Sequence, residues 1–324
     1  VFAIRQPVPA SKFAPDQRPP EWIWPGVLAT GCMTLLTGEW FSGKTTLLSI
    51  LLSRFGTGGT IAGRPVRPGL AVVVTDEPQS LWLERHRRLN FSDDVYFCCR
   101  PLNGRPLMDH WMWMIEDIEA QKRFPQLLVL DPLSSFLPEH AEAYAPHLLH
   151  ALIPLRRLTE RGMAILMNHH PSRQGIRELT GRGVGTLHSF VDIDVRLFNT
   201  PGGRSDRVRR VVSKAKPFGS NFEFSIELNE DGTDYIEVPP EPAANWKEGI
   251  NVAKSVLLAA GEPLTVAELW KGWREDCPQP ALKTLRRWLA MAHADGLLAR
   301  TGTGHRNDGF KYWVKGDAAG NVVY

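Results

Sequence analysis

Residues 33–50 read MTLLTGEWFSGKTTLLSI, and the nine from Gly38 to Thr46, GEWFSGKTT, decide the fold. They satisfy the pattern GxxxxGK followed by Ser or Thr, with an apolar strand before and an apolar helix, expected from Lys44 to Phe55, behind. In that setting a glycine-rich turn aims backbone N–H groups and a helix N-terminus at phosphate. Gly38, Ser42, Gly43, Lys44, Thr45 and Thr46 are therefore the expected nucleotide-binding set. Gly43 leaves room for close backbone approach, Lys44 would reach the β/γ-phosphates, and the Thr45 hydroxyl would complete a Mg2+ shell, which makes ATP and Mg2+ the expected cofactors. A chance glycine-rich turn is the competing reading, and the flanking strand and helix count against it. Trp40 and Phe41 are bulky for such a loop, and nothing in the pattern accounts for them.

Short apolar runs alternate with helical stretches outward from the loop. LAVVVT, VYFCC, LLVLD and MAILMN read as strands, separated by helices expected over 79–90, 107–123 and 143–161, and VDIDVRL, VRRVVSK and FEFSIE follow. This is the rhythm of an α/β protein, a mostly parallel sheet covered by helices that finishes in antiparallel strands.

Side chains just past parallel strands gather at the carboxyl edge of the sheet, where ligands bind. Asp76 and Glu77 follow LAVVVT. A carboxylate there can orient and deprotonate an attacking water, and Glu77, with the longer side chain, is preferred to Asp76. A solvated loop charge or a helix N-cap is the plain alternative. Asp131 closes the wholly apolar LLVLD, where a carboxylate is costly unless it has work such as holding Mg2+ through water. Capping the Pro132 turn is its structural alternative. Asn168, His169 and His170 end or follow MAILMN, and a neutral polar group there could touch a γ-phosphate and report its loss. Adjacent histidines also suit a metal, but no third ligand at suitable spacing accompanies them.

Together, GEWFSGKTT, VVVTDE, LLVLD and MNHHPSRQG, in this order and spacing, resemble the RecA-like P-loop ATPase superfamily, especially its RepA-like plasmid replicative helicase branch, over roughly Trp22 to Glu237. The resemblance implies that Glu77 activates water, that Asp131 serves Mg2+, and that His169, with His170 close behind, senses the γ-phosphate. It also implies late basic residues that reach the ATP of a neighbouring subunit. VVSKAKPFG matches that segment, with Lys214 and Lys216 in the places of its cations, so the expected catalytic residues are Lys44, Glu77, His169, Lys214 and Lys216. Two residues apart on an expected strand, Lys214 and Lys216 share a face. A trans-acting cation completes the site only in a homo-oligomer, commonly a ring in this family and with a hexamer as one form. Arg209 and Arg210 compete for this role, a solvated strand edge blunted by lysine is the plain reading, and lysine at 216 is a weaker bidentate phosphate ligand than the arginine many relatives carry. In the superfamily the stretch after the sensor commonly faces a central channel and touches DNA. Here HPSRQGIRELTGRGVGTLHS carries Arg173, Arg177 and Arg182 among glycines, although an ordinary surface loop reads equally well.

A Pro-rich leader occupies 1–20, and a second Pro-rich break, VPPEPAANW, separates an ATPase domain over 21–240 from a domain over 245–324. Beyond the break, AKSVLLAAG, TVAELWKGW and ALKTLRRWLAMAHADGLL read as helices, and TGTGHRNDG leads into the aromatic strand FKYWV. That pattern resembles a winged helix-turn-helix. Leu282, Leu285, Leu289 and Ala292 fall on one helical face and leave Lys283, Arg286 and Arg287 for DNA, with His305 and Arg306 at the wing tip. Such domains also dock proteins. From Asn245 onward 11 Lys+Arg stand against 8 Asp+Glu, so all of the chain's +3 lies there.

The 324 residues allow about two domains, and 43% hydrophobic residues allow a core in each, which excludes a disordered or fibrous chain. Cys32, Cys98, Cys99 and Cys277 are too few and scattered for a disulfide framework or a CxxC zinc site, and suit a reducing cytoplasm. No apolar run approaches the ~18 residues of a bilayer span, and the first twenty residues lack a signal peptide's apolar stretch, so a cytoplasmic protein with no membrane partner is expected. The chain begins at Val1 instead of Met, so a missing or processed N-terminal piece is expected. The composite expectation is a Mg2+-dependent ATP hydrolase that assembles with itself and acts on DNA as a helicase or translocase in replication or repair. Single-stranded DNA would occupy the channel and duplex the winged helix. An ATP-gated DNA-binding regulator with slow hydrolysis is the rival. A small-molecule phosphotransferase ranks third, since no lid segment is evident.

Overall fold

Runs such as AVVV and LLVL, apolar at every position and rich in β-branched or leucine side chains, form central strands because both of their faces are covered. The computed structural model describes residues 9–12, 19–38, 41–139, 141, 144–169, 182–199, 205–239, 246–274, 277, 279–304 and 308–314, without the side chains of 182–184 and 246–248. Most of residues 1–20, and residues 170–181, lie outside the described residues. The chain divides into two compact units, Val1–Phe198 with Val211–Glu237, and Asn199–Arg210 with Val238–Tyr324.

A small hairpin, β1 (Trp22–Trp24) and β2 (Leu28–Ala29), precedes β3 (Met33–Gly38) and α1 (Lys44–Thr57). A second hairpin, β4 (Gly59–Ile61) and β5 (Arg64–Val66), is followed by β6 (Ala71–Thr75), α2 (Gln79–Leu89), β7 (Val95–Cys99), α3 (Met108–Glu119) and β8 (Leu127–Asp131). Next come α4 (Ala145–Leu152), α5 (Arg156–Glu160), β9 (Ala164–His169) and α6 (Arg182–Phe190). The strands β10 (Ile193–Asn199), β11 (Val208–Ala215), β12 (Ser220–Leu228) and β13 (Tyr235–Val238) complete a nine-stranded sheet of order β13-β12-β11-β10-β3-β9-β8-β6-β7. From β10 to β7 every neighbouring pair is parallel.

Helices lie on both faces of the sheet. On one face, α1 packs Leu48, Leu51, Leu52 and Phe55 with Trp82 and Leu89 of α2 against Val73, Val129 and Leu166. On the other, Trp111, Ile115 and Ile118 of α3 and Leu148, Ala151 and Leu152 of α4 cover Leu128, Leu130 and Ile165. This large, mostly parallel sheet flanked by helices fits a P-loop NTPase core.

Three local expectations change. The single helix expected over 143–161 is broken into α4, a short 3-10 turn at Ile153–Leu155 and α5, because Pro154 lacks the N–H that a continuous helix needs. The hairpins β1–β2 and β4–β5 and the strand β13 are too short to leave a periodic trace in the sequence. Finally, β11 ends at Ala215 and Lys216 opens a 3-10 turn containing Pro217, so strand alternation does not put Lys216 on the face of Lys214.

In the C-terminal unit, α7 (Trp246–Ala260), β14 (Leu264–Thr265), α8 (Val266–Lys271), α9 (Leu282–Ala294), β15 (Ala299–Thr301) and β16 (Lys311–Trp313) surround a separate core. The strands form an antiparallel sheet of order β14-β16-β15. A capping box starts α8: the Glu268 N–H donates to Thr265 Oγ1 at 3.3 Å, and the Thr265 N–H donates to Glu268 Oε2 at 2.8 Å. Leu285, Trp288, Leu289 and Ala292 of α9 are buried, whereas Lys283, Arg286 and Arg287 are exposed. Among the described residues no helix is long and apolar enough to cross a membrane.

Candidate nucleotide-binding site

The loop after β3 is shaped by two glycines. A Cβ on Gly38 would lie 2.6 Å from the Leu197 carbonyl oxygen and 2.7 Å from Ser42 Oγ, so only glycine fits where the loop leaves the sheet. Gly43 adopts φ 87°, a left-handed turn that reverses the chain into α1. Phe41 is also left-handed, at φ 61°, and is 92% exposed. Lys44 curls back under the loop, its Nζ donating to Gly38 O at 2.8 Å and Ser42 Oγ at 3.4 Å. Ser42 and Lys44 are both buried. Burial pushes the Lys44 ammonium down to about 8, against the opposing pull of the Asp131 charge. Thr45 and Thr46 occupy the first turn of α1, whose N-terminal turn carries no acidic residue.

The polar residues gather along the carboxyl ends of neighbouring strands. His169 on β9 is opposite Thr37 of β3, and Asp131 on β8 is opposite Thr75 of β6. Asn168 Nδ2 donates to Asp131 Oδ1 at 2.5 Å, while Asp131 Oδ2 and Asn168 Oδ1 are buried and have no hydrogen-bond partner among the described residues. Burial raises the Asp131 carboxyl to about 6; the Asn168 hydrogen bond and the Arg85 charge oppose this, and the Glu77 and Asp76 charges add to it. Lys44, Asp131, Asn168, His169, Asp76 and Glu77 thus stand at one edge of the sheet.

The two candidate water-activating carboxylates are held differently. Asp76 accepts a hydrogen bond from Ser135 Oγ at 2.6 Å, and its N–H reaches the Asp131 carbonyl at 3.2 Å. The Glu77 N–H donates to Thr75 Oγ1 at 3.2 Å, and both of its carboxylate oxygens accept from Arg85 of α2. Sequence reasoning missed Arg85, which lies eight residues beyond Glu77 with no motif to mark it. It also missed Arg100, whose Nε donates to the Asp76 carbonyl at 2.9 Å, and the pairing of Asn168 with Asp131.

The late basic residues do not join this cluster. Lys216 Nζ donates to the carbonyls of Ser189 and Val191, each at 2.6 Å, and of His188 at 3.5 Å, so it caps the C-terminal end of α6 in its own chain. Lys214 is exposed on β11, and Arg209 donates to the Asp206 and Val208 carbonyls. Arg173, Arg177, His170, His305 and Arg306 lie outside the described residues, as does the side chain of Arg182.

A phosphate-binding loop at the carboxyl edge of a parallel sheet, with buried carboxylate and amide beside its lysine, defines a P-loop nucleotide-binding protein. The model of one family, described as an AAA domain, matches residues 3–175, more than half of the chain, and the chain belongs to that family. It is accordingly a nucleotide-binding ATPase of the AAA type. No curated protein matches the chain.

Proposed function

We propose that this ATPase is Mg2+-dependent, assembles with itself and acts on DNA as a RepA-like helicase or translocase in replication or repair. The observation that carries the catalytic reading is the meeting of Lys44, Asp131, Asn168 and Glu77 at the ends of adjacent strands. Thr45 and Asp131 would hold Mg2+, which supplies charge neutralisation at the phosphates when bound. The buried oxygens Asp131 Oδ2 and Asn168 Oδ1 fit that role, since each offers a lone pair that no group among the described residues uses. Lys44 would exchange its loop partners for phosphate oxygens, Glu77 would take the proton of the attacking water, and His169 would couple loss of the γ-phosphate to the following loop.

The DNA reading rests on α9, which sets Lys283, Arg286 and Arg287 on an exposed face above a packed apolar one. Three helices with a small antiparallel sheet support a winged helix-turn-helix, in which Arg306 would serve the wing, while Arg173 and Arg182 would line a channel for single strands. Lys214 is the remaining lysine suited to reach the ATP of a neighbouring copy, in a ring that includes a hexamer among its forms. A second reading, an ATP-gated DNA-binding regulator with slow hydrolysis, is favoured by one observation: Glu77 is engaged by Arg85 on both oxygens. Steady-state phosphate release from wild type and Lys44→Ala, without DNA, with single strands and with duplex at one salt concentration, separates them. Strong stimulation by single strands, lost in the variant, is expected for the translocase; slow release indifferent to single strands, with ATP-dependent binding of specific duplex, selects the regulator.

A further inference from the structure

Glu77 is the one carboxylate in the site whose two oxygens both meet a cation of the same chain among the described residues. Arg85 Nη2 donates to Oε1 at 2.9 Å and Nη1 to Oε2. The pair is partly shielded, with 19% of the arginine side chain and 26% of the glutamate side chain exposed. A bidentate guanidinium takes one in-plane lone pair of each oxygen and fixes the plane of the carboxylate, which leaves fewer acceptor positions for a water. The clamp is itself braced: the guanidinium lies 4.5 Å from the Trp82 ring centroid, and buried Trp82 packs against Phe97 and Phe91 with centroid separations of 4.7 and 6.2 Å. At the other end, the bond from the Glu77 N–H to Thr75 fixes the glutamate backbone to the end of β6.

The helix that carries the clamp is held chiefly through Trp82 and Leu89. Of the eleven residues of α2 only Trp82 and Leu89 are buried, and an element with so few buried side chains is the kind that shifts at low free-energy cost. Movement of α2 weakens both hydrogen bonds together, because both depend on one planar alignment.

We propose that Arg85 is a positioning residue that restrains Glu77 away from the attacking water until α2 moves, so that turnover is gated after nucleotide has bound. The inference rests on the reading of Glu77 as the water-activating residue. It separates binding, which the loop around Lys44 performs, from hydrolysis, which waits on α2.

The test is steady-state phosphate release at saturating ATP without DNA, together with nucleotide affinity and thermal melting, for Arg85→Gln, Arg85→Lys, Glu77→Gln and the double variant Glu77→Gln/Arg85→Gln. Arg85→Gln raises kcat roughly fivefold, the size set by loss of one partly exposed ion pair, and leaves KM for ATP unchanged. Arg85→Lys, which keeps the stem on Trp82 but has no planar fork, raises kcat less. The double variant is no faster than Glu77→Gln. An unchanged or lower kcat in Arg85→Gln with intact nucleotide binding overturns the restraint. If Arg85→Gln melts without cooperativity, Arg85→Lys decides by the same criterion. Wild-type turnover in Glu77→Gln instead removes the water-activating role on which the inference stands, and is told apart because it does not involve Arg85.

Discussion

Lys44 and Glu77 stand at the same edge of the sheet and are held in opposite ways. Lys44 donates to Gly38 O and Ser42 Oγ, neutral groups of its own loop that a phosphate can replace. Glu77 pairs with the guanidinium of Arg85, a full charge carried by a separate helix. The first arrangement is prepared for its ligand inside a single continuous motif. The second depends on where another element sits. On the roles proposed for Lys44 and Glu77, binding and hydrolysis would answer to different parts of the fold.

The sharpest way to break this comparison is Glu77→Gln. Its kcat is expected to fall roughly 10²- to 10⁴-fold, as for loss of a general base, while nucleotide affinity stays at the wild-type level in a fluorescent-nucleotide titration. Equal loss of affinity would mean that the two halves are not separable. Lys44→Ala is expected to do the reverse, weakening nucleotide binding by about 2–5 kcal/mol, the cost of truncating a buried charged partner, measured by the same titration.

Proton linkage sharpens the contrast further. The Asp131 carboxyl, raised to about 6, is protonated below that pH and ionised above it; the Lys44 ammonium, lowered to about 8, is charged below that pH and neutral above it. Affinity for Mg2+-nucleotide should accordingly peak between these values and fall by up to about tenfold per unit beyond each limb. Calorimetric titrations from pH 5 to 9 check this, and Asp131→Asn should remove the acid limb alone.

In the C-terminal unit, replacing Lys283, Arg286 and Arg287 by Ala should reduce the log–log salt slope of duplex binding by roughly 3, about one per lost phosphate contact. An unchanged slope would assign α9 to protein docking. The smallest effect is expected at Lys216. As a cap on the end of α6 its replacement by Ala costs about 1 kcal/mol, or about 2–4 °C in Tm, with turnover retained. A trans-acting finger would behave oppositely, losing roughly three orders of magnitude in kcat with Tm unchanged.

Lys216 illustrates where reading by pattern stops. Alternation predicts that Lys214 and Lys216 share a face, but the strand ends between them, and the second lysine finds three carbonyls at the end of a helix that precedes it by 26 residues or more. The strands behave otherwise. LAVVVT, LLVLD and MAILMN carry their own evidence of double-sided burial, and each became a central strand within a residue or two of its expected bounds. Pro154 was visible in the sequence, yet its effect, splitting one expected helix into three pieces, needed the chain to choose between a kink and a break.

What the sequence by itself determined is the phosphate-binding loop, the α/β layering around it and the polar residues that end the strands. These follow from short-range rules: glycine where backbone must turn, a period of two or 3.6 where a face is buried, and a strand end where a polar residue interrupts an apolar run. Only the tertiary structure decided that Arg85 clamps Glu77, that Asn168 meets Asp131 while each keeps an oxygen without a partner among the described residues, and that Lys216 caps α6. Hydrogen bonds act over about 3 Å between residues that spacing along the chain does not relate, so their partners are set by how the elements pack.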